Sequence, residues 1–514
     1  MVSKGRFLGS RTGLAAAILL AATALTAPAW AQTVTIMQGE PPESLEPGNM
    51  GGTYNMSVLA TMYENLVALD ENLERVPGLA TDWSASDDGL TWTFKLREGV
   101  TFHDGTPFDA TAVKFTFDRL LDEQLGLGSG GRFRPVIDEV VIVDPFTVDF
   151  KLKMVYPAFP GLVAIMHSGI VNPNPDVQGT LDTQGSGTGP FKFAEWRTGE
   201  YVLQEAYDGY WGDKAQVDEI KWIWSAEPSV GNMALLSGDA DVVNAPAPIF
   251  AQQMAANPEL SLHESKSSRV YWAALNMAME PFDDVKVRQA LNYATDREAL
   301  VGALMFGYGS PANSPLGEAV FGYDDTLRPY TYDVEKAKAL LAEAGYADGI
   351  TVQIFVQEQE APVAQALQAM WAEAGVTLNV TRLETGVMSD VTFGGPEEKE
   401  EAGANLIIAS FSSATLDADV QLRALYHTDS WSPTDANAGF YSNPELDAIL
   451  DEAASISDEE QRRELYLEAQ NIINEDAPHV LLYKPVDLFA TRAGIDGIWV
   501  RPGGLMVAKG VTKE

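Results

Sequence analysis

The chemistry open to this chain is bounded first by what it lacks. It has no cysteine, which removes disulfides, thiol nucleophiles and thiolate metal sites, and with them a lipidated N-terminal cysteine as a membrane anchor. Its five histidines, His103, His167, His263, His427 and His479, never fall at the H-E-x-x-H spacing that sets two imidazoles on one helical face for zinc. No G-x-S-x-G elbow is present to raise a serine into a nucleophile. Gly185-Ser186-Gly187-Thr188-Gly189 is glycine-rich but lacks the Gly-Lys-Ser/Thr ending of a phosphate-binding loop. Carboxylate pairs are plentiful, yet among 73 acidic residues their spacing carries no information. His103, beside Asp104-Gly105, reads as a turn residue before a metal ligand, and His167 is a candidate to approach a cleft. The expectation is a binding protein with no catalytic residue, no metal and no cofactor.

Charge narrows the partners. The 34 basic residues leave a formal net charge of −39. Nucleic acid is excluded, because phosphate contacts need basic patches, and so is docking on an anionic membrane. The excess reads as a solvated acidic surface. With 46% hydrophobic and 21% charged residues the composition is that of a globular protein. Lys4, Arg6 and Arg11, the apolar run Gly13–Thr26 and Ala29-Trp30-Ala31 have the layout of an export signal cleaved after Ala31. The run is shorter than the roughly 20 residues a membrane span needs. The mature chain is expected to be soluble and periplasmic.

The elements come next. At 514 residues two or three domains are expected. Thr33–Gln38 reads as a strand, followed by the Pro/Glu/Gly loop Gly39–Asn49, and residues 57–69 read as a helix. Asp87-Asp88-Gly89 is a turn, after which Thr91–Arg97 alternates Trp92, Phe94 and Leu96 against polar neighbours, the period of a half-buried strand. Ala110–Leu121 follows a helical pattern, and Thr147–Leu152 alternates again. Strands are expected at 200–205 and 219–224, then a helix, turn and strand over 229–243, and a first crossing between lobes at Ser268–Met277. Beyond it, Asp333 caps Val334–Ala344, strand Ile350–Val356 follows, and helix Ala361–Ala374 leads through Gly375 to strand Val376–Leu383. Helix, glycine and strand in repetition are the signature of a parallel α/β lobe. Capping boxes are expected at Thr295–Glu298 and Ser457–Glu460, a short strand at Leu406–Ser410, helices at 444–455 and 458–474, and a returning strand at Val480–Lys484.

Two stretches carry a family resemblance. Ser86-Asp87-Asp88-Gly89-Leu90-Thr91-Trp92-Thr93-Phe94-Lys95-Leu96-Arg97-Glu98-Gly99, with the following Phe102-His103-Asp104-Gly105-Thr106, resembles the family-5 extracytoplasmic solute-binding proteins, the peptide/nickel class that feeds ABC importers. The likeness extends over nearly all of residues 33–505. It implies a bilobal α/β periplasmic-binding-protein fold of type II, the large class with an extra subdomain, in which two lobes are joined by a hinge. The expected division is signal peptide 1–31, first lobe 32–270 with an inserted subdomain over about 66–180, second lobe 271–486, and a return to the first lobe over 487–514. Phe411-Ser412-Ser413-Ala414-Thr415-Leu416-Asp417-Ala418-Asp419, Leu425-Tyr426-His427, Asp429–Thr434 and Gly439–Asn443 resemble the glutathione-binding branch.

The resemblance also suggests a site. Dipeptide and oligopeptide binders of the family pair the peptide's α-ammonium with an Asp in this loop, and the matching position here is Ala414. A buried ammonium without a partner is costly, so the dipeptide mode is not expected unless Asp417 or Asp419 supplies the charge from a shifted position; the plain alternative is a solvated helix cap. The hydroxyls of Ser410, Ser412, Ser413 and Thr415 suit carboxylates and amides, or sugar hydroxyls. Arg132, Arg134, Arg269 and Arg423 are candidate forks for a carboxylate. Tyr271, Trp272 and Phe411 are candidate aromatic walls, with core packing as the alternative, and Asn276 lies where the chain crosses. The expected partners are a small peptide-like solute, glutathione or a short peptide, and an ABC permease, with the protein itself a monomer. Another solute, such as an oligosaccharide or a nickel chelate, stays open, as does an enzyme or chaperone on the same scaffold.

Overall fold

The computed structural model describes residues 32–514 apart from Met50 and Pro329. The expected export signal, residues 1–31, lies outside the described residues. Two sheets are built on opposite sides of one shared strand. In the first, Thr33–Gln38 lies between Glu219–Trp224 and Val242–Asn244, parallel to both, and Tyr201–Ala206 and Phe191–Arg197 extend it antiparallel. In the second, Ile350–Val356 runs parallel to Val376–Arg382 and Leu406–Ser412, and Arg269–Leu275 joins the latter antiparallel. Such strands are covered on both faces by helices. Ile350, Val352, Ile354 and Val356 all point into a core closed by helix Ala361–Glu373, whose Trp371 is fully buried and donates from Nε1 to Thr295 Oγ1 at 2.9 Å.

The shared strand is His479–Arg492, 14 residues long. Its first part pairs with Tyr271–Ala274 in the second sheet. Its last part pairs with Leu260–Lys266 and Val242–Asn244 in the first. The chain therefore leaves the first lobe at Ser267–Ser268, between strands Leu260–Lys266 and Arg269–Leu275, and returns within a single strand near Pro485. The return was expected to span only Val480–Lys484; pairing on both sides keeps the backbone extended well past Pro485.

A four-stranded antiparallel sheet, ordered Ala80–Ala85, Thr91–Leu96, Thr147–Leu152, Ile137–Asp144, stands apart from the shared sheet. Helix Ala110–Leu121 covers it, started by the Asp109 carboxylate accepting from the Thr111 N–H at 2.8 Å. Phe94, Phe117, Phe150 and Phe159 meet there edge-on or tilted, with centroids 4.8–6.1 Å apart.

Several local expectations need correction. Residues 57–69 are not one helix: the helix is Thr53–Leu59 and Val67–Leu69 is a strand. Between them Asn65 donates from Nδ2 to the Ile165 carbonyl at 2.6 Å and to Ser168 Oγ at 2.9 Å, tertiary bonds that hold the backbone out of a helix. Asp296 and Asp458 cap their helices rather than Thr295 and Ser457. The Thr295 hydroxyl instead donates back to the Leu291 carbonyl at 2.8 Å. Ala418–Tyr426 is a helix with Asp417 at its N-cap, the cap alternative, but buried rather than solvated. Among the described residues no helix is long and apolar enough to cross a membrane.

Candidate functional site

The loop after Leu406–Ser412 is held from behind. Ser413 Oγ accepts from the Asp417 N–H at 3.2 Å and donates to the Asp417 carbonyl at 3.1 Å. The Asp417 carboxylate caps helix Ala418–Tyr426 through the Asp419 N–H at 3.1 Å, and receives the Arg462 guanidinium at 2.8 and 3.0 Å with neither side chain meaningfully exposed. Leu416, buried, sits at φ 57°, a left-handed conformation that a branched side chain adopts only when its surroundings enforce it.

In front of this loop is a cavity of about 260 Å³ between the lobes. Gly51–Thr53, Met56, Arg132, Ile165–His167, Arg501, Pro502, Gly503 and Leu505 line it from the first lobe, and Arg269, Ser412 and Ala414 from the crossing and the second lobe. The lobes meet closely there. A Cβ on Gly503 would lie 2.6 Å from Ser412 Oγ, and its φ is 95°, so both space and conformation require glycine. Ser412 Oγ is in turn hydrogen-bonded to Ser268 Oγ at 2.6 Å.

The electrostatics of the cavity oppose those of the chain. Among the described residues three guanidiniums face it and no carboxylate lines it. Among the described residues Arg132, Arg269 and Arg501 form no ion pair. Arg501 keeps some surface open to the cavity but is densely enclosed, donating only to the Ala164 carbonyl at 3.3 Å, and the loss of water pushes its guanidinium down to about 10. His167 stands beside them, close to the Gly51 backbone, and among the described residues neither ring nitrogen makes a well-formed hydrogen bond. Burial, reinforced by Arg132, pushes its imidazole down to about 4. Behind the wall, Asp487 accepts from the Gly503 N–H at 2.7 Å and the Ser267 hydroxyl at 3.2 Å, and burial pushes it up to about 6. Guanidiniums without acidic partners in a partly enclosed cavity have the chemistry to meet an anion.

Of the residues singled out from sequence, Arg132, Arg269 and Ser412 are on this wall, as is Ala414. The others are elsewhere. Tyr271 stacks on Tyr483 with centroids 4.8 Å apart, and Trp272 lies flat on His479 at 5.1 Å. Asn276 is buried, donating to the Ala404 carbonyl at 3.1 Å. Ser410 sits opposite Tyr271 in the sheet, and Phe411 packs on the second-lobe core. Ser413 and Asp417 are consumed in the loop's own bonds, and Thr415 faces a different chamber. Arg134 reaches the Leu120 carbonyl at 3.2 Å and Glu123 at 3.9 Å. Arg423 is shared between Asp419 and Asp451 at 3.2 and 2.8 Å, which removes Asp419 as a free charge, as Arg462 removes Asp417. Arg501 was not singled out. Its signal was the Arg-Pro-Gly-Gly run of residues 501–504 in a tail expected to return to the first lobe.

Comparison with known proteins places this geometry. Residues 74–433 match the bacterial extracellular solute-binding proteins, family 5. The glutathione-binding protein GsiB of Pectobacterium atrosepticum is 32% identical over 492 residues, 94% of this chain and 95% of that protein. GsiB of Escherichia coli O1:K1 / APEC is 30% identical over 506 residues, 96% of each. Among solved structures, HbpA2 from Haemophilus parasuis superposes with a TM-score of 0.84 at 28% identity, covering 94% of this chain and 100% of that one. The ABC transporter-associated periplasmic binding protein DppA from Helicobacter pylori, in complex with the peptide STSA, gives 0.79 at 26% identity over 94% and 98%. With an arginine-lined cavity between two α/β lobes and this likeness over 94% of its length, the chain belongs to family 5 of the bacterial extracellular solute-binding proteins.

Proposed function

We propose that this chain is the periplasmic solute receptor of an ABC importer, and that it captures a small peptide-like solute through the solute's carboxylates, with glutathione as the leading candidate. The observation that carries this reading is the set of three guanidiniums without acidic partners in the cavity, in a chain whose net charge is −39. Glutathione offers two carboxylates, and the relatives at 30–32% identity are named for binding it. The volume, about 260 Å³, lies near the lower end of the roughly 300–1,000 Å³ typical of small-molecule sites. Ala414 on the wall leaves the cavity without an acid for an α-ammonium; a dipeptide sets that ammonium apart from its single carboxylate, whereas glutathione carries it beside an α-carboxylate and is a net anion, which favours glutathione. The change of pairing along His479–Arg492 supports lobe boundaries at 32–270 and 487–514 against 271–486, with the antiparallel subdomain inside about 66–180. The protein acts as a monomer that presents its closed form to the permease.

Native mass spectrometry of the purified mature protein, followed by titration with glutathione and a dipeptide panel, tests the reading. A glutathione complex without dipeptide binding is expected. Dipeptide binding alone, or a co-purified sugar or metal chelate, overturns the choice of solute.

A pH dependence follows from His167. Its value near 4 in the free protein keeps the ring neutral at ordinary pH. A carboxylate placed against it raises that value, so the complex takes up a proton. Affinity therefore increases as pH falls from about 8 towards about 5.5, by at most about tenfold per unit. The other charged groups facing the ring, Arg132, Arg269 and Arg501, do not titrate in this window. Asp487, near 6, does titrate there. Calorimetry of the His167→Gln variant separates the two: the gain at low pH is expected to disappear, and persistence would assign it to Asp487.

A further inference from the structure

Two chambers lie between the lobes. The inner one is the arginine cavity, and the outer one, about 1000 Å³, is bounded by the turn Leu69–Arg75 of the first lobe and by 318–321, Thr415, Leu416 and Arg463 of the second. The backbone at 414–415 is the partition, since Ala414 faces the inner chamber and Thr415 the outer. Against it rests Gly161, in the single turn Phe159–Leu162 of the first lobe. A Cβ on Gly161 would lie 3.2 Å from the Thr415 carbonyl oxygen and 3.5 Å from the Arg75 guanidinium. A few residues on, the same segment places Ile165, Met166 and His167 on the inner wall. One side of the contact is stiff, because Leu416 is pinned in a left-handed conformation and Asp417 is tied to Ser413 and Arg462. The other side comes so close that even a Cβ at residue 161 would press on the Thr415 carbonyl oxygen, and a larger side chain would force the two apart.

We infer that the Gly161–Thr415 contact sets the length of solute the protein accepts, with Gly161 as a specificity-determining residue. This rests on the reading that the solute occupies the arginine cavity. A tripeptide-sized solute with both ends inside that cavity lets the lobes close until Gly161 meets the Thr415 carbonyl. A longer chain must pass the partition into the outer chamber and holds the contact apart. A bulky side chain at 161 does the same without any solute, so the penalty on long chains shrinks while short ones lose their advantage.

The experiment has two arms. In the first, S-methylglutathione and the same tripeptide extended at its C-terminus by three alanines are titrated into the wild type and Gly161→Leu. The wild type is expected to prefer the short ligand by about tenfold or more, and Gly161→Leu to reduce the preference to within about threefold. Equal affinities in the wild type, or an unchanged preference in the variant, overturns the inference. The second arm does not depend on the ligand. Because the chain has no cysteine, the Gly161→Cys/Thr415→Cys variant carries only the two introduced thiols, and a short bismaleimide is expected to join them within one molecule. Failure to cross-link overturns the contact itself. Cross-linking without binding of either peptide instead rejects glutathione-like solutes, and the length limit with them.

Discussion

Replacing Arg462 by methionine lowers the stability of the folded protein by about 3–5 kcal/mol. Arg462 and Asp417 are 45 residues apart and fully enclosed, with the guanidinium 2.8 and 3.0 Å from the two carboxylate oxygens. Arg462 also donates to the Ala453 carbonyl at 3.2 Å and to the Tyr466 hydroxyl at 3.1 Å. Methionine leaves an apolar side chain beside Phe321 and Tyr466, whose rings the guanidinium overlies, but strands the Asp417 charge away from water, close to Asp419. Desolvation of that charge, rather than the lost attraction, sets the size of the effect. Combining Arg462→Met with Asp417→Asn is therefore expected to recover much of the loss, since no buried charge is left over. Urea denaturation of the single and double variants measures both. A midpoint unmoved by Arg462→Met would show that the pair is not buried as described.

The second large effect falls on binding. Arg501→Met is expected to weaken the solute complex by about 2–5 kcal/mol, a factor of roughly 30 to several thousand in Kd. The same change leaves the free protein as stable as before or more so, because Arg501 is enclosed without an acidic partner and its burial already disfavours the charged form. This opposition separates a ligand-binding role from a structural one. A structural arginine such as Arg462 loses stability when replaced, whereas Arg501 loses affinity alone. Arg501→Lys is expected to recover only part of the binding, since an ammonium cannot reproduce the planar fork that meets a carboxylate with two bonds. Calorimetric titration and thermal unfolding of the same sample give both quantities.

The contrast between these two arginines explains what could be read in advance. Strands with clean alternation, Thr91–Leu96 and Ile350–Val356, and helices with an Asp cap and a glycine stop are local signals, and the structure has them where the pattern put them. The hydroxyl-rich loop and Ala414 were likewise visible. Whether a charged group is free is not local. Asp417 looks available until Arg462 is folded onto it, and Arg423 looks like Arg269 until Asp419 and Asp451 close around it. Arg501 reaches the cavity only because the C-terminal tail returns to the first lobe, where Gly503 packs on Ser412 of the second. Thr295 and Ser457 failed as caps for a related reason: an Asp next to each competes for the same N–H groups, and Thr295 has a better partner behind it.

The most direct measurement is a calorimetric titration of the purified mature protein with glutathione and with glutathione whose glycine carboxyl is amidated, both at low and at high salt. Glutathione is expected to bind one-to-one, loss of one carboxylate to weaken binding by at least about tenfold, and salt to weaken the intact ligand more than the amide. Equal binding of acid and amide, or tight binding of an uncharged sugar with no response to salt, would contradict the claim that the three arginines hold the solute by its carboxylates.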